Sequence, residues 1–360
     1  MCAFACPSCH TPDRVQESWG REGEEGLMIT LVTGADGFIG QALVDLLVGQ
    51  GVSVRAAVWE PTARVATAGG SIVPACPVGS IGGSTDWSTA LAGIDTVVHL
   101  AARVHVMREQ AADPAEAFRE VNVRGTERLA VMAARAGVRR LVFVSSIKVN
   151  GEATAGQPFC EEDAANPSDA YGTSKWEAEQ SLRRISQTAG IEVVIVRPPL
   201  VYGPGVKGNI LSLMRWVDRG IPLPLARIRN QRSLVGLQNL VSLLLRCLTH
   251  PRAAGELFLV ADGEDLSTPE LLRRVAHAMG RRPALFSVPA GALRWASRLA
   301  GATDVYERLF SSLVVDSAKA RRVLEWEPVS SVDEELRRTA DWYRRSRRSG
   351  GGEGHPPAVS

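Results

Sequence analysis

The chain has 360 residues, 45% of them apolar, and it carries 41 Lys and Arg residues against 39 Asp and Glu residues. This length allows one large domain or two coupled lobes with ample core. The balanced charge gives no reason to expect a nucleic-acid partner. A run of about 18 uncharged apolar residues, which a membrane span needs, is missing from the sequence, so no membrane partner is expected either.

Six cysteines are spread unevenly along the chain, at Cys2, Cys6, Cys9, Cys76, Cys160 and Cys247. Three crowd the N-terminus and three are scattered, which is not the pattern of a disulfide framework and suits a reducing, cytoplasmic location. The first group includes Cys6-Pro7-Ser8-Cys9-His10, which matches a haem-attachment motif and offers zinc ligands. Because no export signal accompanies it, we expect neither haem nor metal there.

Both ends of the chain lack a core-forming pattern. Residues 1–27 are polar, rich in Gly and Glu and without hydrophobic periodicity, so a disordered extension is predicted. Met28 directly precedes the first strand signal and is an alternative start of the chain. Residues 346–360 are rich in Gly, Pro and Arg and are predicted to be a disordered tail. The adjoining basic run is expected to be solvated and comprises Arg344, Arg345, Arg347 and Arg348.

Strand and helix signals alternate between Met28 and Pro198. Apolar runs and helical spacing predict strands over 28–33, 52–58, 96–100, 141–144 and 191–196, and helices over 38–48, 87–92 and 114–136. Such alternation is typical of a parallel sheet with helices on both faces. We predict an α/β fold, with a doubly wound parallel sheet of Rossmann type over 28–197 and a smaller C-terminal lobe over 198–345.

A glycine-rich segment, Thr33-Gly34-Ala35-Asp36-Gly37-Phe38-Ile39-Gly40, joins the first predicted strand to the first helix. Gly34 would permit a tight turn, Gly37 the approach of a cofactor pyrophosphate, and Gly40 the packing of helix on strand. The helix N-terminus offers free N–H groups and a positive dipole to the phosphates. This strand–turn–helix context favours a dinucleotide site over a plain glycine turn.

The segment Tyr171-Gly172-Thr173-Ser174-Lys175 places a phenol and an ammonium on one face of a predicted helix. An adjacent ammonium is expected to lower the pKa of Tyr171, which could then exchange a proton with a substrate hydroxyl or carbonyl. Taken alone, this spacing also occurs by chance on surface helices. It gains weight from Ser145 and Ser146, which end a predicted parallel strand, where ligands sit in such folds. A turn or helix cap is the alternative role for either serine.

Further segments strengthen this pattern: His99-Leu100-Ala101-Ala102, the stretch VNVRGT over 121–126, SSIKVNG over 145–151, and RPPLVYGPG over 197–205. With the GxxGxxG spacing and the YxxxK unit, they resemble the extended short-chain dehydrogenases of the NAD-dependent epimerase/dehydratase family. The likeness runs from about Met28 to Tyr343. The segments around 145–151 and 197–225 look most similar to bacterial enzymes of surface-polysaccharide sugar synthesis, which include reductases of a UDP-4-keto-6-deoxy-HexNAc. It implies a UDP-linked sugar substrate and NAD or NADP as the cofactor.

The same resemblance implies roles for individual residues. The implied catalytic residues are Ser146, Tyr171 and Lys175. The implied cofactor-binding residues are Gly34, Gly37, Phe38, Ile39, Gly40, Ala101 and Lys175. The implied substrate-binding residues are Ser146, Lys207, Asn209, Arg232 and Arg308. Arg232 is the expected diphosphate ligand because a guanidinium suits that group best, with a solvated loop arginine as the alternative. Lys207 and Asn209 fit the role of ordinary loop residues equally well.

The sequence departs from the family pattern in two places, which bear on the type of reaction and on the choice of cofactor. Dehydratases of the family carry an Asp-Glu pair directly after the active-site hydroxyl residue, whereas this chain has Ile147 and Lys148. Neither can act as a carboxylate would, so dehydration is disfavoured. The end of the second predicted strand, Ala57-Val58-Trp59, lacks the acid that NAD-specific sites use for the adenine ribose. Arg55 or Arg64 could instead meet a 2′-phosphate, and the choice between NAD and NADP stays open.

The expected reaction is hydride transfer at C4 of a UDP-linked 4-keto-6-deoxy hexose or HexNAc, with Tyr171 as proton donor, Ser146 orienting the oxygen and Lys175 keeping Tyr171 active. The first alternative is a UDP-glucose-type 4-epimerase, which uses the same residues. A non-catalytic NAD(P)-sensing binding protein is the second alternative, disfavoured because a pure binder does not need these three residues. The sequence leaves the oligomeric state open, with a homodimer among the alternatives.

Overall fold

The computed structural model describes residues 28–60, 64–104, 113–289, 291–293 and 309–349. Eleven strands lie in these ranges: β1 Ile29–Thr33, β2 Ser53–Val58, β3 Val65–Ala66, β4 Ile72–Val73, β5 Ala75–Pro77, β6 Thr96–His99, β7 Arg140–Val144, β8 Glu192–Arg197, β9 Leu200–Tyr202, β10 Leu234–Gly236 and β11 Leu257–Leu259. The predictions made for 1–27, 350–360 and Arg308 fall outside the described residues.

Seven of these strands form the central sheet, in the spatial order β11-β8-β7-β6-β1-β2-β5. Every pair of neighbours is parallel. The order reverses at β1, which lies between β2 and β6, so Thr33 at its end is in register with Ala57 and His99. Ligands of doubly wound sheets bind at such a reversal, outside the carboxyl ends of the strands. The predicted Rossmann-type sheet is confirmed.

Ten helices surround the strands within the described ranges: α1 Phe38–Gly49, α2 Ser88–Leu91, α3 Pro114–Arg119, α4 Gly125–Arg135, α5 Ala170–Ala189, α6 Gly208–Asp218, α7 Leu237–Thr249, α8 Thr268–Ala278, α9 Ala318–Leu324 and α10 Val332–Ser349. A π-helical turn, Glu120–Arg124, joins α3 to α4 and interrupts the single helix predicted over 114–136. None of the described helices is long and apolar enough to cross a membrane.

The sheet is covered on both faces by separate hydrophobic cores. Leu43, Leu240 and Leu324 represent the core that α1, α7 and α9 build on one face. Leu129 and Leu182 represent the core under α4 and α5 on the other face. Because the central strands are buried on both sides, most of their side chains are apolar without strict alternation, which explains why the sequence predicted these strands.

A third core belongs to a smaller C-terminal lobe, in which α6, α8 and α10 pack together. The boundary predicted at residue 197 does not separate this lobe from the sheet, because β11, α7 and α9 come from later residues and complete the sheet layer. Helix α10 continues to Ser349 and therefore includes residues 346–349, which the sequence assigned to a disordered tail. Phe38, at the start of α1, packs against both the sheet core and the third core.

Candidate active site

The glycine segment forms a tight turn between β1 and α1. Gly34 has φ of +66°, and the Gly37 N–H donates to its carbonyl oxygen at 3.0 Å. A Cβ on Gly40 would lie 2.0 Å from that oxygen, so only glycine lets α1 pack so closely. A Cβ on Gly37 would meet Gly34 O at 3.1 Å, and Gly37 itself is exposed. Gly34 and Gly40 therefore serve the turn and the packing of α1, whereas the contact expected between Gly37 and a pyrophosphate stays a prediction.

His99, at the end of β6, ties this turn to α4. Its Nδ1 lies 2.7 Å from Thr33 Oγ1 and its Nε2 3.0 Å from Thr126 Oγ1. The Thr126 hydroxyl donates to Asn122 O at 2.7 Å, so it must accept from His99 Nε2, and Nδ1 then accepts from Thr33. Burial lowers the pKa of His99 to about 3, so the ring is neutral and this tautomer is fixed.

The backbone beyond His99 borders the glycine turn. The Ala101 N–H donates to Thr33 Oγ1 at 3.2 Å, and a Cβ on Gly34 would lie only 3.0 Å from the Ala101 nitrogen. Ala101 thus borders the glycine turn, and its expected place in the cofactor site stays a prediction. The sequence analysis named His99 as part of a motif but assigned it no role. The feature that could have indicated this role is a single histidine at the end of an apolar run.

The three implied catalytic residues converge at the carboxyl end of β7. Ser146 follows this strand and caps a short 3₁₀ turn, Ile147–Val149, by accepting the Lys148 N–H at 3.2 Å. Tyr171 lies in the first turn of α5 and Lys175 one turn later. The Lys175 Nζ donates to Val144 O at 2.9 Å and lies 6.0 Å from the centre of the Tyr171 ring.

The expectation that Lys175 lowers the pKa of Tyr171 is not met in this structure. Burial raises the pKa of Tyr171 to about 12, and the nearby Asp169 carboxylate adds to the rise. Burial also lowers the pKa of Lys175 to about 7, because its ammonium is desolvated, while the Glu179 carboxylate opposes that shift. The ammonium donates to Val144 O at 2.9 Å. Tyr171 is therefore a neutral phenol, a form that donates a proton.

Ser145, unlike Ser146, is engaged by a buried ionic network. Its Oγ donates to Glu179 Oε1 at 2.6 Å. Arg197 grips both oxygens of the same carboxylate, with Nε at 2.8 Å and Nη2 at 2.6 Å, and its Nη1 donates to Asn150 Oδ1 at 2.8 Å. The network fastens α5 and β8 to the end of β7, which leaves Ser146 as the serine available to a substrate. Sequence reasoning missed Glu179 and gave Arg197 no role.

Asn122, in the π-helical turn, holds the chain after β6 beside α5. Its side-chain amide donates to Arg103 O at 3.0 Å and to Ser174 Oγ at 2.9 Å, and its Oδ1 accepts the Arg103 N–H at 2.8 Å. Phe118 packs edge-on against Tyr171, with ring centres 6.1 Å apart. A π turn shifts the helical register by one residue and often lies at functional sites. Here it lets α3 and α4 both face α5.

Apart from Ser146 and Arg308, the implied substrate residues occupy two places in the C-terminal lobe. Arg232 is largely buried, its Nη1 donates to Ser311 O at 3.1 Å, and burial lowers its pKa while the Glu152 carboxylate opposes that shift. Lys207 and Asn209 are exposed at the start of α6. The turn before them reaches the cofactor side, because a Cβ on Gly205 would lie 3.4 Å from the Phe38 ring.

The structure removes one candidate for recognition of a 2′-phosphate. Arg55 Nη1 donates to three carbonyl oxygens at the end of α2, those of Thr89 at 3.3 Å, Ala90 at 2.9 Å and Ala92 at 2.7 Å. The guanidinium therefore neutralises a helix C-terminus instead of facing a cofactor. Arg64 is exposed, and Trp59 at the end of β2 is 54% exposed. Across the described ranges, no group of His, Cys, Asp and Glu is arranged to hold a metal ion.

A glycine turn on a parallel sheet, together with a serine, a tyrosine and a lysine at the carboxyl end of another strand, is typical of dinucleotide-dependent enzymes. A family model described as the NAD dependent epimerase/dehydratase family matches residues 30–261. The chain belongs to this family, as the resemblance of its motifs implied.

Individual relatives span nearly the whole described chain. A UDP-glucose 4-epimerase of Vibrio cholerae is 44% identical over 316 residues, which cover 87% of this chain and 94% of that protein. A 3-beta-hydroxysteroid dehydrogenase of Mycolicibacterium neoaurum is 28% identical over 347 residues, covering 87% and 90%. The solved structure of MoeE5 in complex with UDP-glucuronic acid and NAD has a TM-score of 0.70 at 26% identity, covering 88% of this chain and 99% of that one.

Proposed function

We propose that the protein transfers a hydride between NAD(P) and C4 of a UDP-linked sugar, as a ketoreductase of a 4-keto-6-deoxy hexose or HexNAc. The observation that carries this proposal is the convergence of Ser146, Tyr171 and Lys175 at the carboxyl end of β7. Burial raises the pKa of Tyr171 to about 12, so the phenol is protonated at neutral pH and can donate to a ketone oxygen. A neutral donor suits reduction of a ketone better than removal of a proton from an alcohol.

The dinucleotide would be held by the exposed N-terminus of α1 at Gly37 and by the backbone at Ala101, which together leave a cradle that side chains do not fill. When bound, the reduced cofactor supplies the hydride. Ser146 Oγ orients the ketone oxygen by donating a hydrogen bond to it, and Tyr171 Oη gives that oxygen its proton. Lys175 can return a proton to the phenolate, because its pKa of about 7 lets it exchange protons at neutral pH.

The UDP moiety would bind in the C-terminal lobe. Arg232 is the strongest ligand for its diphosphate, because the guanidinium is desolvated and already positioned by Ser311. Relatives of similar length support a UDP-sugar, since one is named UDP-glucose 4-epimerase and another was solved with UDP-glucuronic acid and NAD. Ile147 and Lys148 replace the acidic pair of dehydratases and disfavour dehydration.

A 4-epimerase is the second candidate, favoured by the 44% identity to the Vibrio cholerae protein of that name. An epimerase must first take a proton from the C4 hydroxyl, so Tyr171 would have to act as a phenolate. The positive charge of an oxidised nicotinamide nearby would lower the pKa of Tyr171 toward the required range. The reduced nicotinamide is neutral and gives no such help, so the oxidation state of the retained cofactor distinguishes the two candidates.

The deciding experiment incubates the protein with UDP-sugars and UDP-4-keto sugars in the presence of NADH or NADPH, and follows products by mass. A ketoreductase consumes one of the reduced cofactors in step with a product that has gained a hydride and a proton. An epimerase yields a product of unchanged mass without net cofactor consumption. If neither occurs while the cofactor still binds, the proposal fails and the non-catalytic binding alternative gains support. Tyr171→Phe, which keeps the ring, is the matched control.

A further inference from the structure

Lys148 contacts the surroundings of both proposed acid–base groups. Its backbone N–H donates to Ser146 Oγ at 3.2 Å. Its Nζ donates to Asp169 Oδ2 at 2.5 Å and to Glu152 Oε1 at 2.8 Å. Asp169 is the N-cap of α5, and its other oxygen accepts the Gly172 N–H at 2.6 Å. One residue thus bonds to the serine on one side and to the cap of the tyrosine helix on the other.

The backbone of Lys148 also packs directly against that helix. A Cβ on Gly172 would lie 3.0 Å from the Lys148 carbonyl oxygen, so glycine at this position allows the 3₁₀ turn after β7 to touch the first turn of α5. This contact joins the turn that follows Ser146 to the first turn of α5, which carries Tyr171. Helix capping alone needs only one oxygen of Asp169 and leaves the second oxygen, with the carboxylate charge, for another partner.

We propose that Lys148 is a positioning residue, which holds the Tyr171 turn against Ser146 and neutralises the Asp169 carboxylate beside the phenol. This inference rests on the proposed function. It explains why a lysine stands two residues after Ser146, where a hydrophobic residue would fill the same space without balancing the charge. The lysine is not itself a substrate ligand, because both neighbouring carboxylates occupy its ammonium.

Several other charged groups surround the phenol. Lys175 and Asp169 belong to its own helix and cap, and Glu152 lies beside Lys148 in the segment after β7. From the segment after β6, the Arg103 guanidinium lies 5.7 Å from the centre of the Phe118 ring, which packs against Tyr171. Among these, Asp169 is the carboxylate that raises the pKa of Tyr171. Loss of the Lys148 charge should therefore raise that pKa further.

The test follows oxidation of the C4 hydroxyl of the active UDP-sugar by the oxidised cofactor, a direction in which Tyr171 must be deprotonated. Activity then rises with pH through the pKa of Tyr171, which the positive charge of the oxidised nicotinamide lowers toward the measurable range. Lys148→Met keeps the length of the side chain and removes its charge. We expect the ascending limb of kcat to move up by about one pH unit and kcat at neutral pH to fall about tenfold, with KM changed less than about threefold.

Asp169→Asn supplies the second arm, because an asparagine still caps the helix but carries no charge. Alone it should move the limb to lower pH. When Lys148→Met is added to Asp169→Asn, the ascending limb of the pH profile should not move further, since no carboxylate remains at position 169 to be neutralised. Lys148→Arg should restore the wild-type limb. Lys319→Met is the matched control, because Lys319 pairs with Glu256 at 2.8 Å in α9, outside the site.

If Lys148→Met keeps the full kcat and the ascending limb of its pH profile does not move, the inference is overturned. The same conclusion would follow if Lys148→Met moved the limb equally in the wild type and in the Asp169→Asn background. Melting and cofactor titration show whether Lys148→Met folds. If it does not fold, the ascending limbs of the pH profiles of Asp169→Asn and Lys148→Arg test the inference instead. If the wild type is inactive on every sugar, the proposed function and this inference both fail. If the wild type is active but the pH profiles of the variants do not shift, only the inference fails.

Discussion

Glu179→Gln should destabilise the protein strongly, because it leaves a buried guanidinium without its counter-charge. Glu179 and Arg197 are 0% and 2% exposed, and Arg197 donates to both carboxylate oxygens, at 2.8 and 2.6 Å. Glutamine has the same shape, but its amide group would face the guanidinium donor to donor. Breaking a buried pair from one side costs about 3–5 kcal/mol. We expect this decrease in the free energy of unfolding and a melting temperature lower by roughly 5–10 °C.

An exposed pair provides the control for this measurement. Arg252 and Glu325 are bonded at 2.5 Å, a distance similar to that of the buried pair, but their side chains are 53% and 69% exposed. Exposed pairs contribute about 0–1 kcal/mol, so Glu325→Gln should be nearly neutral. Urea unfolding followed by tryptophan fluorescence compares the two variants, with Trp176 beside Arg197 as a local reporter. Equal effects of the two substitutions would refute the reasoning, since burial is the property that distinguishes the pairs.

Three further predictions concern the site itself. Tyr171→Phe should abolish nearly all turnover and leave the cofactor Kd within a few-fold, because only the phenol oxygen moves a proton; near-wild-type kcat would exclude this acid. Gly37→Val should fold, since φ of −79° suits any residue, but it should block NAD(P)H binding in a fluorescence titration, whereas Gly40→Val should fail to fold. Arg232→Ala should raise KM for the UDP-sugar by about 10- to 100-fold, with partial rescue by lysine, and a change below twofold would place Arg232 outside the substrate site.

The central strands could be predicted because the property that forms them, a run of apolar residues, is visible within a short stretch of sequence. Strands buried on both faces need mostly apolar runs, and β1, β6, β7 and β8 have them, whereas Arg55 interrupts the run in β2. The short strands β3, β4 and β5 were missed, since two or three residues, one of them Pro77, cannot show a period. The π turn was missed for a related reason, because one extra residue in a helix barely alters an apolar pattern.

The pKa of Tyr171 was predicted in the wrong direction, and the cause is an arrangement in space. Sequence spacing places Lys175 on the same helical face as Tyr171, which favours a lowered pKa. The fold adds a desolvating neighbour, Phe118, from a segment far away in the chain, and it directs the Lys175 ammonium to Val144 O. Arg55 shows the same limit, because its carbonyl partners in and after α2 depend on how that helix packs.

The spacing of the buried polar residues along α5 could have been recognised in the sequence. Tyr171, Lys175 and Glu179 stand at i, i+4 and i+8 of α5 and therefore share one face, which lies against the end of β7. Extending the YxxxK spacing by one turn would have found the carboxylate. Along this face the groups pass from half-buried Tyr171 to fully buried Glu179, which Arg197 neutralises. The deep end is thus a fixed ionic anchor, and Tyr171, at the less buried end, is the group that we propose to exchange a proton with the substrate.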